Sequence, residues 1–99
     1  MTAYIVLTRE RMHDTAEFER YGEMAGAAME GHAITPLAFY GSFEVLEGDP
    51  IEGSVILSFP DRAAAEAWYH SPAYQAAMQH RLKAADYRVF IIEGVDVED

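Results

Sequence analysis

Ala3-Tyr4-Ile5-Val6-Leu7-Thr8 is short, β-branched and aromatic, and it is apolar on both alternating faces: Ala3, Ile5 and Leu7 on one, Tyr4 and Val6 on the other. Such a stretch reads as a strand covered on both sides. Tyr87 to Val95 repeats the pattern, with Val89 and Ile91 on one face and Phe90 and Ile92 on the other. Between these two strands the periodicity changes. Asp14 is placed as a helix N-cap, and Glu17 stands three residues on, where an acid reaches back to the cap. Phe18, Tyr21, Ala25, Ala28 and Met29 then form an apolar stripe at helical spacing, which Gly31 stops.

Ile34 to Tyr40 and Phe43 to Leu46 read as extended, broken at Gly41 by either a bulge or a hairpin, and Glu47-Gly48-Asp49-Pro50 is a turn. Ser54 to Phe59 is a further strand, ended by Pro60. Asp61 caps a short helix whose Ala64, Ala67 and Trp68 share a face, and Ser71-Pro72 restarts it, with Ser as N-cap and Pro at the first helical position, to about Ala85. The order strand, helix, strand, strand, helix, strand is the βαββαβ pattern of ferredoxin-like folds, an α+β class with a four-stranded antiparallel sheet and helices on one face. One face of that sheet has no helix, yet the strands are apolar on both sides. A homodimer with the two sheets facing each other resolves the conflict.

The chain has 99 residues, 51% of them hydrophobic, which predicts one globular domain over residues 1–99. With 17 acidic against 7 basic residues the net charge is −10, which repels phosphate and argues against nucleic-acid and anionic-membrane partners. No cysteine is present, so disulfides, thiolate nucleophiles and Cys-rich metal sites are excluded. The N-terminal apolar run meets Arg9, Glu10 and Arg11 with no basic region before it, and no apolar run approaches a membrane span; the expectation is a cytoplasmic protein.

Phe43-Glu44-Val45-Leu46-Glu47-Gly48, Val55 to Pro60, Ala67-Trp68-Tyr69-His70-Ser71-Pro72-Ala73-Tyr74-Gln75 with Arg81 six residues later, and Glu93-Gly94-Val95 together resemble the domain of unknown function 1330 family of the dimeric α/β barrel superfamily. The resemblance covers nearly the whole chain. It implies the ferredoxin-like fold and a dimer and supplies no catalytic residue. Family members often have Gly-Gly where this chain has Tyr40-Gly41.

Arg81 is the most informative position, because Tyr74, Ala77, Met78, Arg81 and Leu82 share one helical stripe. A guanidinium on a core-facing stripe keeps its charge and needs a carboxylate, carbonyls or a bound anion. Glu47 is the first expected partner and Glu44 the second; the pair is either a structural clamp or a ligand anchor. Trp68, Tyr69 and Tyr74 cluster at the Ser71-Pro72 break, where they either pack the core or line a cleft. Tyr21 lies on the buried stripe of the first helix and its hydroxyl seeks a partner, which the cleft of Arg81 would provide. Ser71 reads as an N-cap rather than a nucleophile, since no Gly-x-Ser-x-Gly surrounds it. The four histidines lack zinc spacing, so no metal is expected; His13 is a turn residue or a general acid–base. Between Arg20 and Arg62 there is no Lys or Arg, so Glu47 must find its cation elsewhere.

These readings combine into a small pocket with Arg81 and Glu47 as polar anchors, Trp68, Tyr74, Tyr21 and Ser71 around the ligand, and Glu47 or His13 as the proton-moving group. The expected chemistry is cofactor-free proton transfer or oxygenation on a small organic substrate, as the superfamily resemblance implies. The alternative is a non-catalytic metabolite-binding or structural dimer, with haem binding, known in the superfamily, as a third.

Overall fold

β1 (Ala3–Met12) runs through the sheet between β4 (Ala85–Glu93) and β3 (Gly53–Phe59), and β2 (Thr35–Phe39) pairs with the far side of β3; every pairing is antiparallel. The structure is a computed structural model that describes residues 1–95, so the acidic end Asp96-Val97-Glu98-Asp99 lies outside the described residues. Helices α1 (Thr15–Ala28), α2 (Arg62–Tyr69) and α3 (Pro72–Ala84) cover one face, completing the ferredoxin-like arrangement. No helix among the described residues is long and apolar enough to cross a membrane.

Strand parity sets the core. Ile5 pairs with Leu57 and Ile91, Leu7 with Val55 and Val89, and these six side chains form the helix-facing layer. Ile5, Phe59, Trp68 and Tyr74 are essentially fully buried there, and each contributes roughly 1.5–3 kcal/mol through removal from water. The opposite parity places Tyr4, Val6, Ile56, Phe90 and Ile92 together on the open face, where Phe90 is 44% and Ile92 53% exposed.

Helix starts follow the expected chemistry. Asp14 accepts from the Ala16 and Glu17 amides (3.1 and 3.2 Å), Asp61 from Ala64 (2.8 Å) and Ser71 from Tyr74 (3.3 Å). The reciprocal half of the capping box is not made: Glu17 instead reaches across to α3, where its Oε2 lies 2.6 Å from His80 Nδ1. Past α1, Gly31 takes φ 80°, a left-handed turn that glycine adopts without steric cost. No loop separates α3 from β4. Buried Ala84 and Ala85 make the junction, and the Ala84 carbonyl accepts from the His13 and Asp14 amides (2.7 and 2.9 Å), tying the end of β1 to it.

Phe43 to Leu46 departs from expectation, since it forms no strand and is exposed throughout. β3 already pairs with β1 and β2, and at Tyr40 a φ of 51° turns the backbone off the sheet into an irregular loop over residues 41–52.

Because the Asp61 cap satisfies an amide with no partner inside the helix, Asp61→Ala should lower the unfolding free energy by about 1 kcal/mol in urea denaturation, with the m-value unchanged.

Candidate functional site

Helix α1 does not seal onto the sheet. Between it and the strands lies an apolar cavity of about 240 Å³, with Leu7, Val55 and Leu57 as its floor, Phe18, Tyr21, Ala25 and Met29 from α1 on one side, and Phe39, Tyr40 and Trp68 completing the wall. Gly22 and Gly26, one helical turn apart, also line it and are exposed, so they form part of the rim. A Cβ at either would meet nothing within 4 Å. Two glycines inside a helix cost about 0.5–1 kcal/mol each relative to alanine, and no steric demand of the backbone requires them here. Space at the rim is what their missing side chains provide.

Behind the apolar wall lies a ring of polar groups. Tyr21 and Tyr74 pair their hydroxyls at 2.9 Å, and Tyr40 pairs with Tyr87. The Arg81 guanidinium is 5.3 Å from the centre of the Tyr87 ring and that of Arg9 is sandwiched between Phe18 (5.0 Å) and Tyr40 (5.2 Å). Both stackings are cation–π contacts. Arg9 also reaches Glu52, with Nε 3.4 Å from Oε1 and a guanidinium N–H donated to the Glu52 carbonyl (3.2 Å). Trp68 is 2% exposed, and its indole N–H has no acceptor among the described residues. Leaving such a donor buried costs about 1–3 kcal/mol.

The structure brings together part of the expected set. Trp68 and Tyr21 line the cavity, and Tyr74 backs it through its bond to Tyr21. Ser71 does not line it: besides capping α3, it donates to the Trp68 carbonyl (2.7 Å) and so fixes the turn that positions the indole. The Arg81–Glu47 ion pair is not formed. Arg81 is buried at 4% exposure with no carboxylate within 4 Å among the described residues and its Nε unpaired, while Glu47 and Glu44 are exposed on the 41–52 loop. The backbone turn at Tyr40 carries that loop off the sheet, which is why the acids are exposed; the Tyr87 ring lies against the guanidinium instead. His13 is exposed beyond the end of β1 and pairs with Asp86 (3.0 Å), away from the cavity lining.

Sequence reasoning missed Arg9, Tyr40, Tyr87 and the two helical glycines. Arg9 had a signal, since it shares strand parity with Ala3, Ile5 and Leu7 and so points to the helix side. Gly22 and Gly26, interrupting an apolar helical stripe, had another. Among the described residues no group of three or more His, Asp or Glu side chains gathers as a metal site.

Burial raises the hydroxyl pKa of Tyr21, Tyr40 and Tyr74 above the ordinary tyrosine value; mutual hydrogen bonding adds to the rise at Tyr21 and Tyr40, and the Tyr21 bond and Arg81 oppose it at Tyr74. All three are therefore protonated donors at neutral pH. The fold favours the neutral phenols, so their contribution to stability is complete below about pH 10 and is lost as pH rises beyond it. Urea midpoints should fall above pH 10, with these phenolates appearing at 295 nm only as the chain unfolds, and Tyr21→Phe should make the fall shallower.

The fold has counterparts of the same shape. A protein of unknown function from Rhodopseudomonas palustris superposes with a TM-score of 0.73 at 21% identity, over 97% of this chain and 84% of that one. A dimeric ferredoxin-like protein of unknown function from Jannaschia sp. CCS1 gives 0.68 at 16% identity, over 95% and 100%. SnoaB, a cofactor-independent oxygenase from Streptomyces nogalater, gives 0.62 at 14% identity, over 97% and 95%. No curated protein matches the sequence. The family model "Domain of unknown function (DUF1330)" matches residues 2–95, and the chain belongs to that family.

Proposed function

We propose that this protein is a homodimer that binds a small, largely apolar organic molecule in the cavity between α1 and the sheet. The observation that carries the reading is an open apolar cavity of about 240 Å³ with two helical glycines at its rim. Apolar lining with few polar groups is the usual make-up of small-molecule sites. The α1 glycines leave the entrance open. Arg81 and Tyr74 stand behind the wall and hold Tyr21 and Tyr87 in place.

The dimer rests on the open sheet face with Val6, Ile56, Phe90 and Ile92, on β2, exposed along its whole length, and on Phe43, Val45 and Leu46 in the loop. An apolar face of this kind is favourable only when covered. The Jannaschia counterpart, described as dimeric, supports the same assembly.

A catalytic reading follows from the protonated tyrosines. A phenol held neutral near an apolar cavity donates to negative charge developing on a substrate, as an enolate or phenolate would require in cofactor-free proton transfer or oxygenation. The likeness to SnoaB supports this second reading. Neither Glu47 nor His13 lines the cavity, so the donor in this reading is Tyr21, whose hydroxyl Tyr74 orients.

Titration calorimetry with 1-naphthol, a neutral aromatic, tests the site. Saturable one-to-one binding by the native chain, lost in Gly26→Leu, is expected; no binding overturns the proposal. Gly26→Ala should raise stability by about 0.5–1 kcal/mol, since its Cβ meets no neighbour. Sedimentation at micromolar concentration should give twice the 11.1 kDa chain mass, falling to the monomer in Phe90→Asp.

A further inference from the structure

Tyr40 takes φ 51°, the only positive φ outside glycine among the described residues. A bulky side chain is seldom found in that region, and strain of this sort persists where surrounding contacts enforce it. Four contacts do so here. The Tyr40 amide donates to the Ser54 carbonyl (2.9 Å), its hydroxyl pairs with Tyr87, its ring meets Phe18 edge-on with centres 6.0 Å apart, and the Arg9 guanidinium lies over it. Gly53 completes the seat: a Cβ there would fall 2.8 Å from Tyr40 Cδ1.

The consequence concerns what the cavity can accept. Phe18 and Tyr40 both line it, and Arg9, held between them, does not. The ring of Tyr40 therefore stands where a fixed positive charge would otherwise meet the ligand. A guanidinium has five N–H donors, and Glu52 occupies only part of that set, so an uncovered Arg9 would bind an anion.

We propose that Tyr40 sets the ligand class of this cavity, screening Arg9 so that neutral aromatic molecules are admitted and carboxylates are refused. The inference rests on reading the cavity as a ligand site. Glycine or asparagine at position 40 relaxes the left-handed backbone while removing the ring, so neither variant has a conformational reason to misfold.

Calorimetry with 1-naphthol and 1-naphthoate at pH 7 decides it. The native chain and Tyr40→Phe, which keeps the ring, should bind 1-naphthol at least tenfold more tightly than 1-naphthoate. Tyr40→Gly and Tyr40→Asn should each gain at least tenfold in 1-naphthoate affinity, and Arg9→Gln added to Tyr40→Gly should abolish the gain. Unchanged 1-naphthoate affinity in both variants, or a gain that survives Arg9→Gln, overturns the role of Tyr40. Failure of the native chain to bind 1-naphthol overturns the ligand-site reading separately, while the variants' response to 1-naphthoate still judges Tyr40.

Discussion

An arginine at the helix-facing parity of a central strand is the constraint around which this structure is arranged. After Ala3, Ile5 and Leu7, β1 brings Arg9 to the same side of the sheet. A cation that cannot be neutralised has to be compensated there. Phe18 and Tyr40 supply their ring faces, Glu52 supplies a carboxylate and a carbonyl, and Glu52 in turn accepts from the Met12 amide at 2.7 Å. Each partner imposes a further requirement. Tyr40 must adopt a left-handed backbone to place its ring, Gly53 must lack a side chain to receive it, and the chain leaves the sheet directly afterwards.

The same arrangement explains why the cavity is apolar although two guanidiniums lie close behind it. Both are covered by tyrosine rings, those of Tyr40 and Tyr87, and the hydroxyls of these two rings are paired with one another rather than with the cavity. Buried polar groups satisfied in this way rigidify their surroundings. On the opposite wall α1 is weakened by two glycines, a loss of intrinsic helix stability that coincides with the cavity's entrance. Rigidity on the strand side and open space on the helix side make a cavity with one fixed wall and an open entrance.

Much of this was legible in residue order. Two-sided apolar strands, Asp and Ser caps and a Pro at the first turn are local signals, and they placed every element of the sheet and all three helices to within a few residues. Trp68 and Tyr21 were likewise recognisable, because helical spacing puts them on the buried stripe. Phe43 to Leu46 misled, since alternation reports a stretch able to form a strand and not whether a neighbour has a free edge for it. The Arg81–Glu47 pair misled for a related reason: burial of a cation is readable from spacing, but which group compensates it depends on where a loop goes.

The sequence by itself determined the order of elements, the side of the sheet on which the core forms, and the presence of two arginines on buried faces, because parity and helical period are properties of consecutive residues. Only the tertiary structure decided what those arginines meet. Tyr40, Tyr87 and Arg9 are brought together by β1 pairing with β4 and β3 and by a backbone turn at position 40, contacts between residues more than 30 apart that no local pattern encodes. The cavity is likewise a tertiary fact, since a void exists only where separately specified surfaces fail to meet.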